Sequence, residues 1–202
     1  MLNLSSAVSW RRLLFVASLG LLLSACSPES APPAFHGSNI SGSHFGQDLE
    51  MVDTEGRTRH LEDYKGKVLV VFFGFTHCPD VCPTALAQLA TAQELLGDDA
   101  ARMQAIMITV DPERDTPALL HAYLNAFNPD FVGLTGSADQ LARTARSFKA
   151  FYARSGAPGS GQYSMDHSSS FYVIDQQGEA RSLLRGDASP EEIAHDVRLL
   201  LG

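Results

Sequence analysis

Apolar and polar positions fall into three regimes along the chain. Behind Arg11 and Arg12 lies an apolar run, residues 13–23 (LLFVASLGLLL). Residues 27–47 (SPESAPPAFHGSNISGSHFGQ) are rich in Ser, Pro and Gly, with too few large apolar side chains to bury a core of their own. From residue 48 onward, strand-like and helix-like patterns alternate. A strand at 48–52, a turn through Asp53-Thr54-Glu55-Gly56 and a second short strand at 57–61 predict a hairpin. Residues 67–73 (KVLVVFF) are continuously apolar, β-branched and aromatic, which marks a strand covered on both faces. Residues 80–96 place Leu86, Leu89, Ala90, Leu95 and Leu96 among helix-forming Ala and Gln, with a stop at Gly97.

Residues 103–110 (MQAIMITV) predict another buried strand. A helix follows, capped by Asp115 or Thr116, opened by Pro117 and running to about residue 127. A short strand at 131–134, a helix at 137–148 and a loop at 155–161 come next. Strands at 170–175 and 180–184 form a hairpin through Gln176-Gln177-Gly178, and residues 189–201 make a last helix with Ser189 as N-cap and Glu192 at the capping-box position. The order βαβ, then hairpin, then helix predicts an α/β fold: a thioredoxin-like sandwich with an N-terminal hairpin and an inserted helix–strand segment, occupying residues 48–202.

Composition narrows the function. Of 202 residues, 45% are hydrophobic and 19% charged, the balance of a globular domain. With 15 basic against 23 acidic residues the formal charge is −8, so no nucleic acid partner is expected. The run at 13–23 is shorter than the roughly 20 residues a spanning helix needs, so residues 1–25 are expected to be a signal peptide rather than an anchor. The closing Leu23-Ser24-Ala25-Cys26 resembles a bacterial lipobox. Lipidation of Cys26 makes residues 26–47 a tether, places the domain in the bacterial cell envelope on a membrane facing the periplasm or extracytoplasmic space, and leaves Cys78 and Cys82 as the free thiols of a disulfide-permissive compartment.

Those thiols lie where the first buried strand hands over to a helix, in Gly74-Phe75-Thr76-His77-Cys78-Pro79-Asp80-Val81-Cys82-Pro83. Unpaired N–H donors and the helix dipole favour thiolate at such a position. Three intervening residues, rather than the two of a thioredoxin-type pair, let the sulfurs converge on one point. Two soft thiolates select Cu(I), with Zn(II) as competitor, and imidazole suits copper in either oxidation state. A third donor is needed, and spacing leaves His60, His77, His121, His167 and His195 open. His77 adjoins Cys78 and on an extended backbone points away from it. His36 and His44 read as solvated linker residues. An inert stabilising disulfide is the plain alternative, although so small a loop removes little unfolded-state entropy.

The segment at 74–83, Asp-Pro-Glu-Arg-Asp-Thr-Pro at 111–117 and Tyr-x-x-Asp-His-Ser at 163–168 together resemble the Sco/SenC family, in this order and over about residues 45–202. The resemblance implies a membrane-tethered thioredoxin-fold metallochaperone that binds copper through Cys78, Cys82 and His167. It also implies help in building the dinuclear copper centre of cytochrome c oxidase, with the copper-centre subunit or another periplasmic copper chaperone as partner. Asp80 and Asp166 match motif positions and are candidates for hydrogen-bonding the ligands or docking a partner. Copper binding is then coupled to the redox state of Cys78 and Cys82. The rival readings are a thiol-disulfide reductase that uses the same pair catalytically on the oxidase subunit's cysteines, and a copper or redox sensor.

Overall fold

The computed structural model describes residues 34–156 and 163–202. The expected signal peptide, Cys26 and most of the loop at 155–161 lie outside the described residues. A short strand β1 (Ser38–Asn39) precedes the hairpin of β2 (Glu50–Asp53) and β3 (Thr58–His60). The apolar run becomes β4 (Val68–Gly74), buried at every residue, and is followed by helix α1 (Val81–Leu95). Next come β5 (Met103–Thr109), α2 (Pro117–Asn125), β6 (Val132–Thr135) and α3 (Ala138–Ser147). Then β7 (Tyr152–Ser155), β8 (Ser164–His167), β9 (Phe171–Ile174), β10 (Ala180–Leu184) and α4 (Pro190–Leu201) complete the chain.

An eight-stranded sheet runs β1-β10-β9-β4-β5-β6-β2-β3. The centre, β4-β5-β6, is parallel, as crossover helices require, while β9 and β2 join it antiparallel. Alternation along β4 divides the interior. Val68, Val70 and Phe72 meet Leu86 and Leu89 of α1, Leu120 and Leu124 of α2, and Ile193 and Val197 of α4. Leu69, Val71 and Phe73 face Leu141 and Ala145 of α3, Phe148 and Tyr172. Helices therefore cover both faces, which is why β4 carries no polar side chain. This is the thioredoxin-like α/β sandwich that the sequence predicts, with the β2–β3 hairpin at one edge and α2–β6 as the inserted segment. Among the described residues no helix is long and apolar enough to cross a membrane.

The capping box predicted at Ser189 forms, and α3 is capped in the same way at Ser137. Ser189 and Ser137 each accept from the backbone N–H three residues on, and Glu192 and Gln140 reach back to the cap N–H. Of the two candidates for capping α2, Thr116 is the one used, accepting from Leu119 N–H at 3.3 Å. The helix ends at Asn125, short of the expected residue 127, because Phe127 and Asn128 turn back onto the carbonyl of Leu124.

The tether expectation for residues 26–47 needs correction from residue 34 onward. Residues 36 and 37 donate their N–H groups to the buried carboxylate of Asp196 on α4, at 2.8 and 3.1 Å. Then β1 pairs with β10, and Phe45 packs edge-on against Tyr172. Gly46, at φ +78°, lies so close to Phe148 that a Cβ there would meet the ring at 2.5 Å. Such a segment needs no core of its own, because it borrows the domain's. His36 stacks edge-on with His195 at 4.5 Å and is an ordered surface residue, while His44 is exposed at φ 56°.

Candidate metal centre

Strand β4 ends at Gly74, and the six residues before α1 form a tight loop in which Cys78 N–H returns to the carbonyl of Phe75 at 3.2 Å. The absent side chain at Gly74 makes room for Cys82, since a Cβ there would stand 3.0 Å from its sulfur. Cys82 occupies the first turn of α1 and donates its backbone N–H to Cys78 Sγ at 3.4 Å. The helix-start donor expected from the sequence is thus aimed at a sulfur. Both cysteines are free thiols, Cys78 partly exposed and Cys82 buried.

His167 is the last residue of β8. Its Nε2 lies 3.7 Å from Cys82 Sγ, and its Nδ1 is 2.9 Å from the carbonyl of Ser168. A carbonyl can only accept, so Nδ1 carries the proton and Nε2 turns its lone pair toward the sulfurs. One ligating atom from each of Cys78, Cys82 and His167 falls within 4.8 Å of the others, and among the described residues no other group of three or more His, Cys, Asp or Glu converges in this way. Two sulfurs and one imidazole nitrogen form a soft donor set, suited to copper or zinc.

The remaining histidine candidates are elsewhere. His77 is exposed and turns back to Thr76 Oγ1 at 3.0 Å. His60 precedes the short helical turn Leu61–Tyr64, His121 pairs with Asn125 on α2, and His195 contacts Asp196.

Two expectations about the surroundings are corrected. Helix-start donors were expected to favour thiolate at either cysteine, yet burial dominates at Cys82 and pushes its thiol well up from the ordinary value. Asp166 does not hydrogen-bond a ligand: neighbours on a strand face opposite ways, and its carboxylate accepts instead from Ser155 Oγ at 3.1 Å. The partner of His167 Nδ1 is a backbone carbonyl. Asp80 holds the N-cap position of α1 with no side-chain cap, exposed at the rim.

The carboxylate that does support the site is Asp115, read from sequence as a possible cap and as part of the motif at 111–117. Fully buried, it accepts from Thr76 Oγ1 at 2.6 Å, Thr76 N–H at 3.1 Å and Thr109 Oγ1 at 2.6 Å, tying the cysteine loop to the end of β5. Beside Cys82 and His167 opens a groove of about 450 Å³ lined by Asp80, Val81, Thr84, Gln88, Ser170 and Arg185.

Comparison with known proteins agrees with this geometry. The model of the family described as SCO1/SenC matches residues 37–202. An SCO2-like protein of Rickettsia felis is 39% identical over 184 residues, covering 90% of this chain and 89% of that protein. The solved structure of Bradyrhizobium japonicum ScoI with copper bound is 37% identical, with a TM-score of 0.69 over 76% of this chain and 97% of that one. A SCO1/SenC family lipoprotein from Bacillus anthracis is 29% identical, with a TM-score of 0.65 over 76% of this chain and 92% of that one.

Proposed function

The chain belongs to the SCO1/SenC family, and from that premise we propose that it is a copper carrier of the cell envelope that serves assembly of the dinuclear copper centre of cytochrome c oxidase. Cys78, Cys82 and His167 hold one copper ion as cargo. The observation that carries this reading is the convergence of their three ligating atoms within 4.8 Å. Thiolate binds the metal, so each thiol proton leaves as copper enters. His167 presents Nε2 because Nδ1 is engaged by the Ser168 carbonyl. Transfer proceeds by ligand exchange with thiols of the receiving oxidase subunit or of another copper chaperone. Oxidation of Cys78 and Cys82 to a disulfide removes two protons and two electrons, and with them both sulfur ligands, so metal loading follows thiol redox state.

Residues 1–25 act as a lipoprotein-type signal peptide in this reading, and Cys26 carries the lipid that holds the domain at a membrane, facing the periplasm or extracytoplasmic space. The Bacillus anthracis relative, described as a lipoprotein, supports that anchoring.

One observation favours a second reading. The N–H of Cys82 aimed at the partly exposed Cys78 sulfur suits a nucleophilic thiolate. A thiol-disulfide reductase uses it to attack a disulfide of the oxidase subunit, forming a mixed disulfide that Cys82 resolves, so that the substrate gains two thiols and this chain the Cys78–Cys82 disulfide.

Anaerobic titration of the reduced chain with Cu(I) and Cu(II) against a competing chelator separates the two. Copper carriage requires one ion per chain, weakened by each of Cys78→Ala, Cys82→Ala and His167→Ala. Weak, non-stoichiometric uptake alongside ready exchange with a disulfide substrate moves the assignment to the reductase.

A further inference from the structure

The strand that delivers His167 belongs to no larger sheet. β7 and β8 pair only with each other among the described strands, through Tyr152↔His167 to Ser155↔Ser164. A free two-stranded ribbon is marginally ordered in water, so something outside its ladder has to hold His167 within reach of the cysteines. Near its far end, one such hold is Met165, buried in the core that Leu69, Val71 and Phe73 share with α3. At its base, Ser168 N–H donates to the Phe151 carbonyl and Phe151 N–H to Ser168 Oγ, both at 2.9 Å, which closes the ribbon on itself without fixing it to the domain.

A second, polar hold from outside the ribbon comes from the turn after β5. Arg114 donates through Nη1 to the carbonyl of Tyr163 at 3.1 Å and lays its guanidinium over the Tyr163 ring, 3.7 Å from the centroid. Arg154 covers the same ring at 4.0 Å and is paired with Glu113 at 2.6 Å. The Tyr163 hydroxyl donates to Asp111 Oδ1 at 2.9 Å, and Asp111 in turn binds Arg114 Nε. On its inner side Arg114 faces the ring of Phe75 at 6.0 Å, and Phe75 meets the imidazole of His167 edge-on, 5.8 Å between centroids. The next residue, Asp115, holds Thr76 in the cysteine loop. Two consecutive residues therefore grip the two halves of the centre, one the ribbon and the other the loop.

The geometry points to Arg114 as a positioning residue for copper binding: it docks the β7–β8 ribbon so that His167 closes the site begun by Cys78 and Cys82. It touches no ligand and acts through Tyr163 and Phe75. This rests on the copper reading for its purpose, though not for its test.

The test uses the full chain as wild type, Arg114→Met, His167→Ala and the double variant, with hydrogen exchange of the β4 amides as the check that the fold is kept. In the metal-free chain, nuclear Overhauser contact between the Phe75 and His167 rings is expected in wild type and lost in Arg114→Met. With Cu(II) bound, the imidazole nitrogen coupling in the electron paramagnetic resonance spectrum is lost as in His167→Ala, and affinity falls about 10- to 100-fold, the range for residues that orient metal ligands. The double variant binds no more weakly than His167→Ala, because both changes remove one donor. Tyr163→Leu, which takes away the stacking ring without stranding a charge, gives the same results and replaces Arg114→Met if that variant does not fold. Ring contact retained in a folded Arg114→Met, or a further loss in the double variant, overturns the inference. Failure of wild type to take up one copper ion per chain removes the copper reading and leaves the ring contact to decide this one.

Discussion

The backbone N–H of Cys82 points at the sulfur of Cys78 across 3.4 Å. The two thiols are unequal: Cys78 is partly exposed and receives that donor, while Cys82 is buried and its thiol is pushed up, chiefly by burial.

A buried thiol that stays protonated at neutral pH must lose its proton to bind metal. Copper affinity is therefore expected to rise with pH, about tenfold per unit for each proton displaced. Chelator-competition titrations between about pH 6 and 8 measure this, and a flat profile contradicts it. Metal-free stability runs the opposite way. The folded Cys82 thiol titrates above its ordinary value of 9.0, so the stability it contributes is complete below that value and lost as pH climbs beyond it. Melting temperature should fall more steeply in alkali for wild type than for Cys82→Ala.

Asp115→Ala strips three donors of their acceptor, two of them from Thr76 in the cysteine loop. A loss of about 1–3 kcal/mol is expected in denaturant unfolding of the metal-free chain, with weaker copper binding. A loss below about 0.5 kcal/mol, within the range of ordinary surface changes, counts against the support assigned to this carboxylate.

Asp196 receives the N–H groups of His36 and Gly37 together with the hydroxyl of Ser182 at 2.6 Å. In Asp196→Ala the amides of residues 36 and 37 should exchange hydrogen at open-chain rates while β4 stays protected. Unchanged protection there means that the β1–β10 pairing holds the segment by itself.

Asp53 is pushed up by burial, but N–H groups of Arg57 and Glu55 and the side chains of Arg57 and Arg59 outweigh this and hold its carboxyl at about 2. Its stabilisation of the β2–β3 hairpin is present above the ordinary value of 3.8 and lost as pH falls through about 2. Acid melting curves of Asp53→Asn should be flatter than wild type over that interval, and parallel curves would remove Asp53 from the account.

The features legible in the sequence were those whose cause is local. Val68–Gly74 announces a doubly covered strand in its own composition, Ser189-Pro190 with Glu192 writes its own capping box, and the cysteines sit where a strand turns into a helix. Illegible features depend on distant partners. Residues 34–47 look like linker until Asp196, Tyr172 and Phe148 are set beside them. The β7–β8 ribbon has weak alternation, and its grip by Arg114 crosses the fold. Spacing left five histidines open, and only the family resemblance selected His167, now found 3.7 Å from Cys82. Asp115 is overshadowed by the cap residue next to it, and of the two roles open to Asp166, hydrogen-bonding a ligand is the one that strand alternation denies it.

The unequal burial of the two sulfurs also sets an order of events for any ion the centre carries. Cys82 is packed into the core with Phe75 and against Gly74, whereas Cys78 is partly exposed. Under the copper-carrier proposal, the partly exposed Cys78 is then the sulfur that an incoming thiol would meet before the buried Cys82.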